Sequence, residues 1–160
     1  MGANMTSWAF NAASRFVEQE RMRSEKWAQA LQRHQTLVAQ APVLWESTRL
    51  ALQAQVRTFN EQVGRQVLIA TTAAGEKVAV LAKTETGPRT IMVEFDAKRC
   101  WITCSARAAE DTPGFEERFH LALNEEAKAS LALPTGAECS AEEAAGHMLN
   151  ELMGWDRATT

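Results

Sequence analysis

The apolar positions of this chain change their spacing at Gly64. Before it, Leu31, Val38, Trp45, Leu52 and Phe59 recur every seven residues, and Trp27, His34 and Ala41 open a second seam beside them. Recurrence of this kind lines side chains along one side of an α-helix. The stretch from Thr6 to Val63 contains no Gly and one Pro and is rich in Ala, Gln, Glu, Arg and Leu, all good helix formers. A long N-terminal helical arm over residues 1–64 is therefore expected. Thr48 and Gln55 interrupt the second seam, and Val56 and Val63 shift the stripe sideways, as a straight helix of period 3.6 would.

Pro42 leaves two arrangements open. It kinks a continuous helix by removing the bond to the Val38 carbonyl, or it opens a second helix that folds back as a hairpin. No capping residue precedes it, and the phase from Val38 to Trp45 passes through it unbroken, which favours the kink. Gly64 suits the left-handed conformation that ends a helix.

After Gly64 the pattern becomes short runs rich in Val, Ile, Thr and Phe, separated by turn residues, as in successive hairpins. Six strands are expected, near Val67–Thr72, Lys77–Thr84, Thr90–Asp96, Cys100–Arg107, Arg118–Asn124 and Lys128–Leu133. Gly75-Glu76, Gly87-Pro88, Asp96 to Arg99, Pro113-Gly114 and Asn124 to Ala127 supply the turns. Alternation puts Ile91, Val93, Phe95, Cys100, Ile102, Cys104, Phe119, Leu121, Leu123, Leu131 and Leu133 on one apolar face. The other face carries Met92, Glu94, Trp101, Thr103, Ser105 and His120; its tryptophan calls for cover, and the arm of the same chain is the expected source.

Ser140-Ala141-Glu142-Glu143 is a capping box, so a final helix starts there. Its stripe of Ala141, Ala144, Ala145, Met148, Leu149, Leu152 and Met153 is expected to cover the apolar sheet face, and Gly154 ends it. The whole is an α+β fold. A helical arm, kinked or broken near Pro42, precedes a six-stranded antiparallel β-meander, and a C-terminal amphipathic helix packs on one sheet face; residues 65–160 hold the sheet and closing helix.

Charge and chemistry narrow the function classes. The formal charge is −3, but residues 1–66 hold eight Lys/Arg against five Asp/Glu, and residues 67–160 hold nine against fifteen. Neither half offers a phosphate-tracking stripe, so no nucleic-acid partner is expected. Apolar runs fall short of the ~20 residues that cross a bilayer, and three cysteines do not make a disulfide framework. A cytoplasmic protein without a membrane partner is expected. Cys100 and Cys104, four apart on a strand, lie ~13 Å from one another, beyond the ~7 Å reach of a disulfide. His34, His120 and His147 lie on three different elements without close spacing to one another or to a cysteine, so no metal or other cofactor is expected. Adjacent acids such as Glu116-Glu117 read as solvated charges.

No nucleophile or phosphate-binding motif emerges, and the chain is expected to be non-enzymatic. The expected function is protein interaction: the arm self-associates into a homodimer or larger assembly, or grips another protein. Trp27, Leu31, His34, Val38, Trp45, Leu52 and Phe59 form that surface, with Trp101 as a second patch. The alternative is a small-ligand or lipid-binding module, with its pocket between the sheet and the C-terminal helix.

Overall fold

The computed structural model describes residues 2–73, 76–85, 87–107 and 113–154. Gly75 of the expected first turn lies outside them. The chain forms two compact units, Met1–Thr36 and Leu37–Thr160.

One helix, α1, spans Gly2–Val63 and passes through Pro42. Of the two arrangements open at Pro42, the hairpin is thus excluded. Pro42 is tolerated because it sits on the exposed side of the helix beside Val43, while Ala41 and Trp45 point inward. The helix ends as its sequence requires: Gly64 has a φ of +83° and its N–H donates to the Asn60 carbonyl at 2.9 Å.

The first unit is helical throughout its described residues and exposes large apolar side chains, among them Trp8, Phe10, Phe16, Val17 and Trp27. Arg21 bridges Glu18 and Glu25, one turn away on either side.

Among the described residues of the second unit, seven strands pair in chain order as a curled antiparallel meander. They are β1 (Leu68–Ala73), β2 (Lys77–Thr84), β3 (Gly87–Asp96), β4 (Trp101–Ala106), β5 (Phe115–Leu123), β6 (Ala129–Ala132) and β7 (Glu138–Cys139), followed by helix α2 (Ala141–Met153). The expectation of six strands is corrected by β7. Its two residues pair with Leu131 and Ala132, and a run that short has no alternation to reveal it. β3 starts at Gly87, not Thr90, so Pro88 is a strand residue opposite Lys83. It fits because β4 joins only from Met92 onward, leaving the proline on a one-sided stretch where no donor is needed. Cys100 belongs to the turn before β4, with a φ of +53°, and is still buried. That turn is held by the Asp96 carboxylate, which accepts from the N–H groups of Lys98 and Arg99.

Alternation places Val78, Val80, Ala82, Ile91, Val93, Phe95, Ile102, Cys104, Phe119, Leu121 and Leu131 in one core, all at most 5% exposed. Both helices close over it. α1 contributes Ala41, Trp45, Leu52 and Val56, and α2 contributes Ala144, Ala145, Met148 and Leu152. Trp45 stacks on Phe95, with ring centroids 5.9 Å apart and planes 12° apart. Thr48, the polar interruption of the seam, is fully buried, and its hydroxyl donates to the Leu44 carbonyl at 2.8 Å. Polar ties fix the helix laterally. Gln40 accepts from the Ala129 N–H at 2.6 Å and donates to the Ala127 carbonyl, and Gln55 donates to the Glu142 carbonyl at 2.8 Å.

α1 therefore covers the apolar sheet face, beside α2. The expectation that the arm shields Trp101 is corrected, because one helix cannot serve both faces. Trp101 is instead partly covered by its own strand neighbours. Arg118 lies 4.4 Å and Arg99 5.4 Å from its ring centre, and His120 meets it edge-on at 5.4 Å.

Candidate metal centre

Two elements bring one imidazole and two carboxylates together. Glu117 lies on β5 directly opposite the buried Cys104 of β4, so its side chain rises from the core face of the sheet. His147 and Glu151 lie on α2 four residues apart, which sets them one above the other on the same side of the helix. The helix is held in phase by its ends. The Ser140 hydroxyl accepts from the Glu143 N–H at 3.1 Å, and Gly154, at a φ of +73°, donates to the Asn150 carbonyl. With Ala144, Ala145, Met148 and Leu152 turned into the core, His147 and Glu151 fall at the margin of that stripe, facing β5.

His147 Nε2 lies 3.0 Å from Glu117 Oε2, and the two side chains are 23% and 20% exposed. Phe119, two residues along β5, meets the His147 ring edge-on at 5.6 Å and restricts its rotation. Donor atoms of Glu117, His147 and Glu151 all lie within 4.8 Å of one another. Donors about 2.1 Å from a common ion stand roughly 3–4 Å apart, a spacing close to that of these three groups. Without a cation, the same arrangement is a hydrogen-bonded His–Glu pair with a second carboxylate beside it.

Below the triangle lies Cys104, fully buried. Burial pushes its thiol far above the ordinary range, and the Glu117 and Glu151 carboxylates push it further in the same direction. The nitrogen and oxygen atoms of Glu117, His147 and Glu151 are the donors grouped at this margin of the core.

The expected interaction residues differ in burial. Trp27 is 73% exposed and Leu31 47% exposed, with His34 also exposed, all in the first unit. In the second unit Val38 is 39% exposed and Phe59 is half-buried, whereas Trp45 and Leu52 lie in the chain's own core. Trp101 is half-exposed on the opposite sheet face.

Sequence reasoning did not bring Glu117, His147 and Glu151 together because it sought His and Cys pairs. The spacing of His147 and Glu151 was the available half of the signal, and reading Glu116-Glu117 as solvated charges hid the rest. Glu116 is indeed exposed, but alternation turns Glu117 to the other face. Comparison with protein-family models, with curated proteins and with solved structures returns no match.

Proposed function

We propose that the sheet and α2 form a small-ligand-binding module whose ligand is a divalent transition-metal cation held by Glu117, His147 and Glu151. One observation carries this reading: three metal-competent donors from two separate elements converge within 4.8 Å at a partly buried margin of the core. Met148 and Leu152 are spent on core packing, so the ligand position moves to the polar edge of the sheet–helix seam.

The donor set argues for the class of ion. An imidazole nitrogen with two carboxylate oxygens suits zinc, cobalt, iron or manganese, whereas calcium and magnesium favour all-oxygen shells. Zinc is the tighter binder at such a site and manganese the weaker. Three protein donors leave at least one position for water or for an anionic group of a further small ligand.

Equilibrium dialysis against zinc tests the reading. The native chain is expected to retain one zinc, and His147→Ala and Glu151→Gln are each expected to weaken binding roughly tenfold or more. Circular dichroism of both variants verifies that they fold. Retention unchanged by the two substitutions, or no stoichiometric retention by the native chain, would refute the assignment.

A further inference from the structure

The first unit leaves a seam of large apolar side chains facing solvent, in a frame that the metal centre does not use. Phe10, Val17, Ser24 and Leu31 recur every seven residues, and Ala13, Glu20, Trp27 and His34 follow three places behind. Phe10, Val17, Leu31 and Trp27 are 72%, 63%, 47% and 73% exposed. On a straight helix such a frame drifts by about 20° per repeat, so only a left-handed supercoil keeps it facing one partner helix.

We infer that this seam is covered by the same segment of a second copy of the chain, running antiparallel. Its own residues specify the register. Setting Glu20 opposite Ser24 places Val17 opposite Trp27, Ala13 opposite Leu31 and Phe10 opposite His34, and every pair then occurs twice about a two-fold axis. Large side chains meet smaller ones across the seam, and the one carboxylate in it faces a hydroxyl that can donate to it. Phe16 belongs to a flank that pairs with its own copy across an antiparallel seam, where it falls opposite Ala30. A parallel pairing in register does the reverse: it stacks Glu20 on Glu20, Trp27 on Trp27 and Ala13 on Ala13, giving repulsion, crowding and a void.

Area agrees with this occupant. Phe10, Phe16, Val17, Trp27 and Leu31 together expose on the order of 600 Å², and the intervening alanines and polar stems bring the seam toward the ~800 Å² per partner of a standard interface. At the flanks Arg21 and Arg23 meet their own copies. Arg21 is already held by Glu18 and Glu25, and Arg23 is exposed at the solvent edge. The overlap runs from Phe10 to His34 and so lies wholly within the first unit.

The full-length chain supplies the test. Sedimentation at micromolar concentration is expected to show a dimer, and Val17→Asp, on an exposed helix position, is expected to shift it to monomer with an unchanged circular dichroism spectrum. Under mild oxidation the double variant Val17→Cys/Trp27→Cys is expected to give a covalent dimer, and Val17→Cys alone is not; the native chain, oxidised alongside, sets the background. A monomeric native chain overturns the inference, and so does cross-linking of Val17→Cys alone as fast as the double variant, the mark of a parallel pairing.

Discussion

The Asn60 carboxamide of α1 takes hold of the Leu68 backbone at both ends: its Oδ1 accepts from the Leu68 N–H at 2.9 Å, and its Nδ2 donates to the Leu68 carbonyl at 2.8 Å. The same oxygen accepts from the Val67 N–H, also at 2.9 Å. Val67 and Leu68 are buried, so these peptide groups have left water and depend on the side chain for partners. Helix end and first strand are thereby locked together across the turn at Gly64.

Asn60→Ala strands two buried donors and one acceptor, and is expected to cost about 2–4 kcal/mol. Asn60→Asp keeps the acceptor but sets an anionic oxygen against the Leu68 carbonyl, so its cost is expected to fall below that of Asn60→Ala only at acidic pH, where the protonated carboxyl again donates. Urea unfolding of both variants at acidic pH checks the order; equal losses there would mean that the carboxamide merely fills space.

Trp45→Ala removes the ring stacked on Phe95 and leaves a cavity between α1 and the sheet, with an expected loss of about 3–5 kcal/mol. Val43, two residues away and 68% exposed, provides the contrast. Val43→Ala is expected to stay within about 0.5 kcal/mol of the native chain. A large loss at both positions would contradict the assigned phase of the helix.

The cysteines predict a pH dependence. Burial raises the thiols of Cys100, Cys104 and Cys139, and nearby carboxylates raise them further. The folded chain therefore keeps protons that the unfolded chain gives up once pH passes the ordinary thiol value of about 8.5. Below that value both states are protonated and nothing is lost; above it stability falls as pH rises. Unfolding measured at neutral and alkaline pH is expected to show this decline, and Cys104→Ala to flatten it. Iodoacetamide is expected to modify all three thiols slowly at neutral pH in the folded chain.

Zinc is expected to raise the unfolding free energy, because its donors come from a strand and a helix that separate on unfolding. At about a hundred times the dissociation constant the gain is about 2.7 kcal/mol. Urea curves with and without zinc measure it. Glu117→Gln is expected to shrink the gain, and an undiminished gain in that variant would remove Glu117 from the site.

Periodicity made the elements legible because each long element commits one face to the core. The continuous α1, the alternating strands β2 to β5 and the capped α2 all follow from that commitment. β7 escaped because two residues carry no period, and Pro88 escaped because a proline in a strand is acceptable only where pairing is one-sided, which is a property of topology. The seven-residue line from Leu31 to Phe59 was legible in the spacing alone. Of that line, Trp45 and Leu52 face the chain's own sheet and Leu31 faces solvent, a difference that spacing does not carry. The candidate cluster joins residues 117 and 147 by tertiary packing alone, and only the helical pair His147 and Glu151 left a trace in local spacing.

X-ray absorption at the zinc edge of the zinc-loaded full-length chain examines the proposed donors most directly. One imidazole with oxygen neighbours, all at about 2.0–2.2 Å, is expected, and the imidazole signal is expected to vanish in His147→Ala. A sulfur neighbour near 2.3 Å, or a shell without imidazole in the native chain, would contradict the assignment of Glu117, His147 and Glu151.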